Sequence, residues 1–149
     1  MTDEPKAIRQ KLLDLLARRE HSQHELQQKL QARGFAETAI GAVMNGLAAA
    51  GLQSDNRFAE SYLHARAQKG YGPIRISNEL NQRGVTIEVI ATAMDRANCD
   101  WQALAEQVRQ KKFGAAIPKD PVASTKQIRF LQYRGFTSDQ IRAAVECCD

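Results

Sequence analysis

Apolar residues recur along this chain at intervals of three and four, the spacing of one helix face. Ile8, Leu12, Leu15, Leu16 and Arg19 form the first stripe, behind a Pro5 suited to a first helical turn. Ser22 and Glu25 form a capping box, in which each side chain satisfies the other's free backbone donor, and Leu26 and Leu30 follow it. Arg33-Gly34 reads as the stop, because glycine takes the left-handed conformation that closes a helix. Ile40, Val43, Met44 and Leu47 mark a third helix, which runs to about Gly51. Ser54 or Asp55 caps a fourth, with Phe58, Tyr62 and Ala65 on one side. Gly72-Pro73 opens a fifth with Ile76 and Leu80 inward. A sixth covers 86–97 with Ile87, Ile90 and Met94 inward. Asp100 caps a seventh carrying Trp101, Leu104, Val108 and Phe113. After a looser stretch at 114–121, Ile128 and Leu131 mark an eighth helix. A Thr137–Gln140 capping box with Ile141 and Val145 marks a ninth. No segment alternates with a period of two, so the pattern predicts an all-α protein of about nine helices.

One phrase occurs three times: Leu30 to Arg33-Gly34, Leu80 to Arg83-Gly84, and Leu131 to Arg134-Gly135. The Arg-Gly pairs lie 50 and 51 residues apart. An isoleucine follows each at the same register, Ile40, Ile90 and Ile141. The pattern predicts three tandem trihelical, helix-turn-helix-like repeats, at 1–52, 53–99 and 100–149, in an elongated array. About fifty residues enclose too small a core to be robust alone, so each repeat should lean on its neighbour.

Composition narrows the classes. The 149 residues are 43% hydrophobic and 26% charged, with a net charge of +4. That charge is spread thinly, +1 over 1–50, +1 over 51–99 and +2 over 100–149, which suits distributed contacts better than one dense nucleic-acid patch. No apolar run is long enough to span a bilayer, and the acidic opening around Asp3 and Glu4 does not read as a signal peptide. A cytoplasmic protein is expected. Three cysteines, Cys99, Cys147 and Cys148, make no CxxC pair; reduced thiols are expected, with one of the last two facing a small core and the other at a frayed end. His21, His24 and His64 lack nearby ligand partners and read as surface residues. No phosphate loop, nucleophile elbow or paired acid–base set is present, so neither catalysis nor a cofactor or metal is expected.

The third helices of the first two repeats, with Ala39-Ile40-Gly41 and Val89-Ile90-Ala91, lack the Arg, Asn and Gln that read base edges. Arg33, Arg83 and Arg134 have two readings: last-turn residues favoured by the helix dipole, or a repeated row of cations for an acidic partner.

The middle of the chain carries the sharpest motif. Asp55-Asn56-Arg57-Phe58-Ala59 leads to Gly70-Tyr71-Gly72-Pro73-Ile74-Arg75-Ile76, then to Glu79-Leu80 and Arg83-Gly84. In order and spacing this resembles the RecX family, bacterial regulators of the RecA recombinase, and the resemblance extends from about residue 5 to 147. It implies a non-enzymatic negative regulator that binds the RecA–single-stranded DNA filament along its groove. Such a protein blocks extension or promotes disassembly, and so lowers ATPase, strand exchange and coprotease activity, with weak direct contact to single- or double-stranded DNA. A monomer is expected. Within the motif Arg57, Arg66, Arg75 and Arg83 are the first candidates for partner contact. Lys69, Arg33, Lys126, Arg129 and Arg134 follow; a solvated helix face is the plainer reading for most of them. Phe58, Tyr62, Ile76 and Leu80 are read as core. Gly70, Gly72 and Pro73 set a turn, Gly84 caps a helix, and Asp55 either caps a helix or holds Arg57 or Arg75. The alternative is a DNA-binding helical repeat protein acting without RecA.

Overall fold

The computed structural model describes residues 3–146, and the readings of Cys147 and Cys148 fall outside them. Among the described residues there are nine α-helices and no strand. They are α1 (Glu4–Arg18), α2 (Gln23–Ala32), α3 (Glu37–Ala49), α4 (Asp55–Gln68), α5 (Pro73–Gln82), α6 (Ile87–Ala97), α7 (Trp101–Phe113), α8 (Pro121–Arg134) and α9 (Ser138–Val145).

Their ends follow local chemistry. Both capping boxes form: Ser22 accepts from the Glu25 amide, and Thr137 accepts from the Gln140 amide. Ser54, Thr86, Asp100 and Asp120 accept from the amides of Arg57, Val89, Ala103 and Ala123, so each caps its helix. The three Arg-Gly stops behave alike. Gly34, Gly84 and Gly135 have φ of +94°, +80° and +97°, the region other residues avoid.

Two compact units emerge, the first from residues up to Tyr62 with Leu80–Ala93, the second from Leu63–Glu79 with Met94 onward. The division falls inside α4 and α5. The core of the first unit gathers Ile8, Leu12, Leu26, Leu30, Ile40, Met44 and Leu47 from α1, α2 and α3. That of the second gathers Ala105, Leu131, Phe136, Ile141, Ala144 and Val145.

The helical stripes hold with corrections. Phe58, Ile76 and Leu80 are buried as expected, whereas Ala65 is exposed and Tyr62 half-buried. The buried face of α4 runs instead through Phe58, Ala59 and Leu63. Ile87 is 74% exposed rather than inward; it is the first residue of α6, where a Cβ tilted toward the N-terminus points past the end of the helix. Ile90 and Ala93 are the buried pair of α6. His21 is not a surface residue: it is 2% exposed. Its Nδ1 faces the Arg19 carbonyl at 3.0 Å and its Nε2 faces Lys29 Nζ at 3.1 Å. A carbonyl only accepts, so Nδ1 carries the proton and Nε2 accepts from the ammonium.

Candidate partner-binding site

The N-terminus of α2 and the N-terminus of α5 are built on one plan. Each meets the Arg-Gly stop of a helix some sixty residues onward. In the first joint Ser22 Oγ donates to the Arg83 carbonyl at 2.7 Å, and a Cβ on Gly84 would come within 2.3 Å of the His24 Cβ. In the second the Gly72 amide donates to the Arg134 carbonyl at 2.7 Å, and the Ile74 amide to the Gly135 carbonyl at 2.9 Å. Glycine is required at 72, since a Cβ there would lie 2.5 Å from the Gly135 carbonyl group.

Polar groups fill the first joint. The Asp55 carboxylate accepts from the Gln23 amide at 3.0 Å and from Gln53 Nε2 at 2.8 Å. It therefore caps α2 from a distance, and it holds neither Arg57 nor Arg75 as the sequence suggested: Arg57 pairs with Glu20 at 3.0 Å, and Arg75 with Glu79 at 3.2 Å. Arg19 forks onto Glu25 at 3.1 and 3.3 Å, and Arg83 pairs with the same carboxylate at 3.8 Å while lying 4.8 Å from the centre of the Tyr62 ring. Burial lowers the His21 pKa, holding the ring neutral, and the Arg19 and Lys29 charges act the same way. Burial of Glu25 works against its charge. The Arg19 hydrogen bond and the Ser22 amide outweigh that, and its pKa falls below the usual value.

Arginines fill the second joint, around one ring. Tyr71 sits in the turn between α4 and α5. The guanidinium carbons of Arg66, Arg75 and Arg134 lie 3.9, 4.5 and 4.8 Å from its centre. Arg66 forks onto Glu79 at 2.9 and 3.0 Å, and Arg75 joins the same carboxylate. Arg75 also donates to the Tyr133 carbonyl at 3.1 Å and lies 4.9 Å from the centre of that ring, which is 70% exposed. Glu79, then the Tyr133 side chain, raise the Arg75 pKa, so its charge is permanent. Arg134 donates to the Lys69 carbonyl at 2.9 Å. The cage gathers three guanidiniums on one ring, each fixed by stacking or a hydrogen bond and half-buried.

Of the sequence candidates, the structure brings together Arg66, Arg75 and Arg134, with Lys69 contributing its carbonyl. Gly70, Gly72 and Pro73 shape the turn that presents Tyr71. Arg57 and Arg83 belong to the other unit and face carboxylates. Arg33 is exposed at the end of α2, and Lys126 and Arg129 are exposed on α8. Sequence reasoning missed Tyr71 as the hub, although it stands inside the quoted motif. It also missed Arg109, which is fully buried. Arg109 Nη1 donates to the carbonyls of Gly114 and Ala116 and to Gln127, and Nη2 to that of Ala115; this pins the 114–116 connection onto α7. No group of three or more His, Cys, Asp or Glu among the described residues is placed to hold a metal ion.

Tandem three-helix domains with interlocking Arg-Gly stops define a class, the helical-repeat binding protein. Comparison gives the family. Residues 9–47, 54–94 and 99–145 match, in order, "RecX, first three-helix domain", "RecX, second three-helix domain" and "RecX, third three-helix domain". The chain is 46% identical over 143 residues to "Regulatory protein RecX" of Halorhodospira halophila, covering 96% of this chain and 89% of that one. To the protein of the same name from Pseudomonas savastanoi pv. phaseolicola it is 44% identical over 139 residues, covering 93% and 90%. The fold is similar to that of the crystal structure of RecX from Lactobacillus salivarius, with a TM-score of 0.82 at 19% identity, covering 97% and 96% of the two chains. The chain belongs to the RecX family, and so to the regulators of RecA. No helix among its described residues is long and apolar enough to cross a membrane.

Proposed function

We propose that this protein is a negative regulator that seats along the groove of the RecA–single-stranded DNA filament. There it blocks extension or promotes disassembly, and RecA's ATPase, strand exchange and coprotease activity fall together. It acts as a monomer in the cytoplasm, without catalysis of its own. Its three repeats, at 1–52, 53–99 and 100–149, supply separate contacts whose strengths combine through avidity.

The observation that supports this reading best is the cage around Tyr71. Cations already fixed by rings and hydrogen bonds lose little freedom on meeting a partner's carboxylates or phosphates. Arg66 and Arg75 are the leading contacts, with Arg134 and Lys69 beside them. Arg57 and Arg83 rank below these, because they lie outside the cage and pair with Glu20 and Glu25. Arg33, Lys126 and Arg129 are outlying contacts.

The test is RecA's ATP hydrolysis on single-stranded DNA with this protein titrated below the RecA concentration. Inhibition at substoichiometric amounts is expected. No inhibition up to an excess, with filaments confirmed present, removes the proposal for that RecA.

A further inference from the structure

The two most exposed large apolar side chains among the described residues are Val122, at 80%, and Ile87, at 74%. Each stands at the start of a charged helix face. On α8, Val122, Lys126, Arg129 and Tyr133 follow at spacings of four, three and four, which is one side of the helix, and all four are exposed. No Asp or Glu occurs from 121 to 134. Pro121 and Thr125 join the first three in a shallow groove of about 470 Å³. On α6, Glu88, Ala91, Thr92 and Asp95 share an exposed side, with Ile87 at its edge. Among the described residues no ion pair takes up Lys126, Arg129, Glu88 or Asp95.

The two faces match in order as well as in sign. Seven residues separate Val122 from Arg129 and eight separate Ile87 from Asp95, about 10.5 and 12 Å along the helix axes. With the helices parallel, Val122 meets Ile87 and Arg129 meets Asp95. Lys126 then spans an offset of about 4.5 Å to Glu88, which its flexible four-carbon stem allows. With the helices antiparallel both cations still meet both acids, but Val122 is left uncovered. Ala91 and Thr92 are small and let the axes approach. An acidic segment of a different protein would satisfy α8 but leave Ile87 and the acids of α6 unused.

We propose that α8 of one copy docks on α6 of a second copy, with Lys126 and Arg129 against Glu88 and Asp95, and Val122 against Ile87. Because the two faces differ, every copy offers both halves, and the contact can recur from copy to copy. One helix pair covers less than the roughly 1,200 Å² of a stable interface, and exposed ion pairs contribute little. The free chain therefore stays monomeric at micromolar concentration. It associates at about 0.1–1 mM, the range that neighbours held on one scaffold reach. The contact needs no RecA, so the inference stands apart from the regulator reading. It assigns Lys126 and Arg129, outlying there, to a neighbouring copy.

Sedimentation equilibrium of the full chain alone, from about 20 µM to about 1 mM at about 50 mM salt, reads the association. The weight-average mass of the wild type should rise at least about 1.5-fold over that range, and the rise should shrink at about 0.5 M salt. Lys126→Glu with Arg129→Glu should stay monomeric, as should Glu88→Lys with Asp95→Lys, since like charges then face one another. An equimolar mixture of these two variants should associate again, because each supplies the face that the other lacks. The control pair Lys6→Glu with Arg9→Glu, on α1, makes the same charge change as the α8 pair and should keep the wild-type rise. A wild type still monomeric at about 1 mM would overturn the contact. So would a loss confined to one of the two variants, an equal loss in the control pair, or a mixture that stays monomeric.

Discussion

The two joints share a geometry and differ in charge. Registered on their Arg-Gly partners, His21 corresponds to Tyr71, Ser22 to Gly72 and Glu25 to Arg75. At the first joint a carboxylate stands where the second has a guanidinium. Arg19 and Arg83 therefore close on Glu25 from either side. At the second, Arg75 enters beside Arg66 and Arg134; the three share a ring, and Arg66 and Arg75 share Glu79. One joint closes two arginines on a carboxylate; the other gathers three guanidiniums around a ring. A repeat array can thus keep one interlock while the side chains around it differ, here at three corresponding positions.

The largest effect expected from perturbing this pair comes at its tightest point. Gly72→Ala places a methyl group against the backbone of Gly135 and Phe136, which side-chain adjustment cannot relieve. It should cost about 3 kcal/mol by urea denaturation. A loss of only a few tenths would mean that the second joint is looser than its geometry. Next comes Ser22→Ala, which removes both the cap of α2 and the hydroxyl on the Arg83 carbonyl. About 1–2 kcal/mol is expected by the same measurement. The gap between these two costs is the measure of how differently one interlock is closed by a backbone amide and by a side chain.

The smallest effect is in pH, and it should be confined to the first joint. The folded His21 pKa lies below 6.5, so the unfolded chain takes up that proton first, and stability falls as the pH drops below about 6.5. The folded Glu25 pKa lies below 4.5, so its contribution is present above that value and is lost as the pH falls through the folded one. The urea midpoint should therefore drop between about pH 7 and pH 5, and His21→Gln should remove that step. A drop unchanged in the His21 variant would place the titrating group elsewhere.

What was legible in the sequence is what depends on near neighbours. The Ser22–Glu25 and Thr137–Gln140 boxes, the Arg-Gly stops and the Asp100 cap each involve residues within a turn of one another, and all form. The triple phrase was legible because the same glycine stop closes α2, α5 and α8. What escaped depends on partners brought in by the fold. The carboxylate of Asp55 finds the amide of Gln23, 32 residues away, and the Arg75 guanidinium finds the Tyr133 carbonyl, 58 residues away. His21 is buried because Gln53 reaches its carbonyl and Lys29 reaches its ring. Arg109 falls on an inward register among apolar residues. There its alkyl stem packs while its guanidinium meets carbonyls of a connection whose conformation no periodicity announces. Of the candidate site, the arginines were named singly; their assembly around Tyr71 required the turn at Gly70 and Gly72 and the end of α8 together.

The central claim is that the second joint, and not the first, is the contact surface. It is tested most directly by the half-inhibitory concentration for RecA's ATPase on single-stranded DNA, with two charge-neutralised variants that mirror each other. Arg66→Gln with Arg75→Gln empties the second joint of two cations, and Arg19→Gln with Arg83→Gln does the same to the first. The account predicts a rise of at least about tenfold for the former and within about twofold for the latter, at comparable urea midpoints. Equal rises for the two pairs, or a larger one for the first joint, would contradict it.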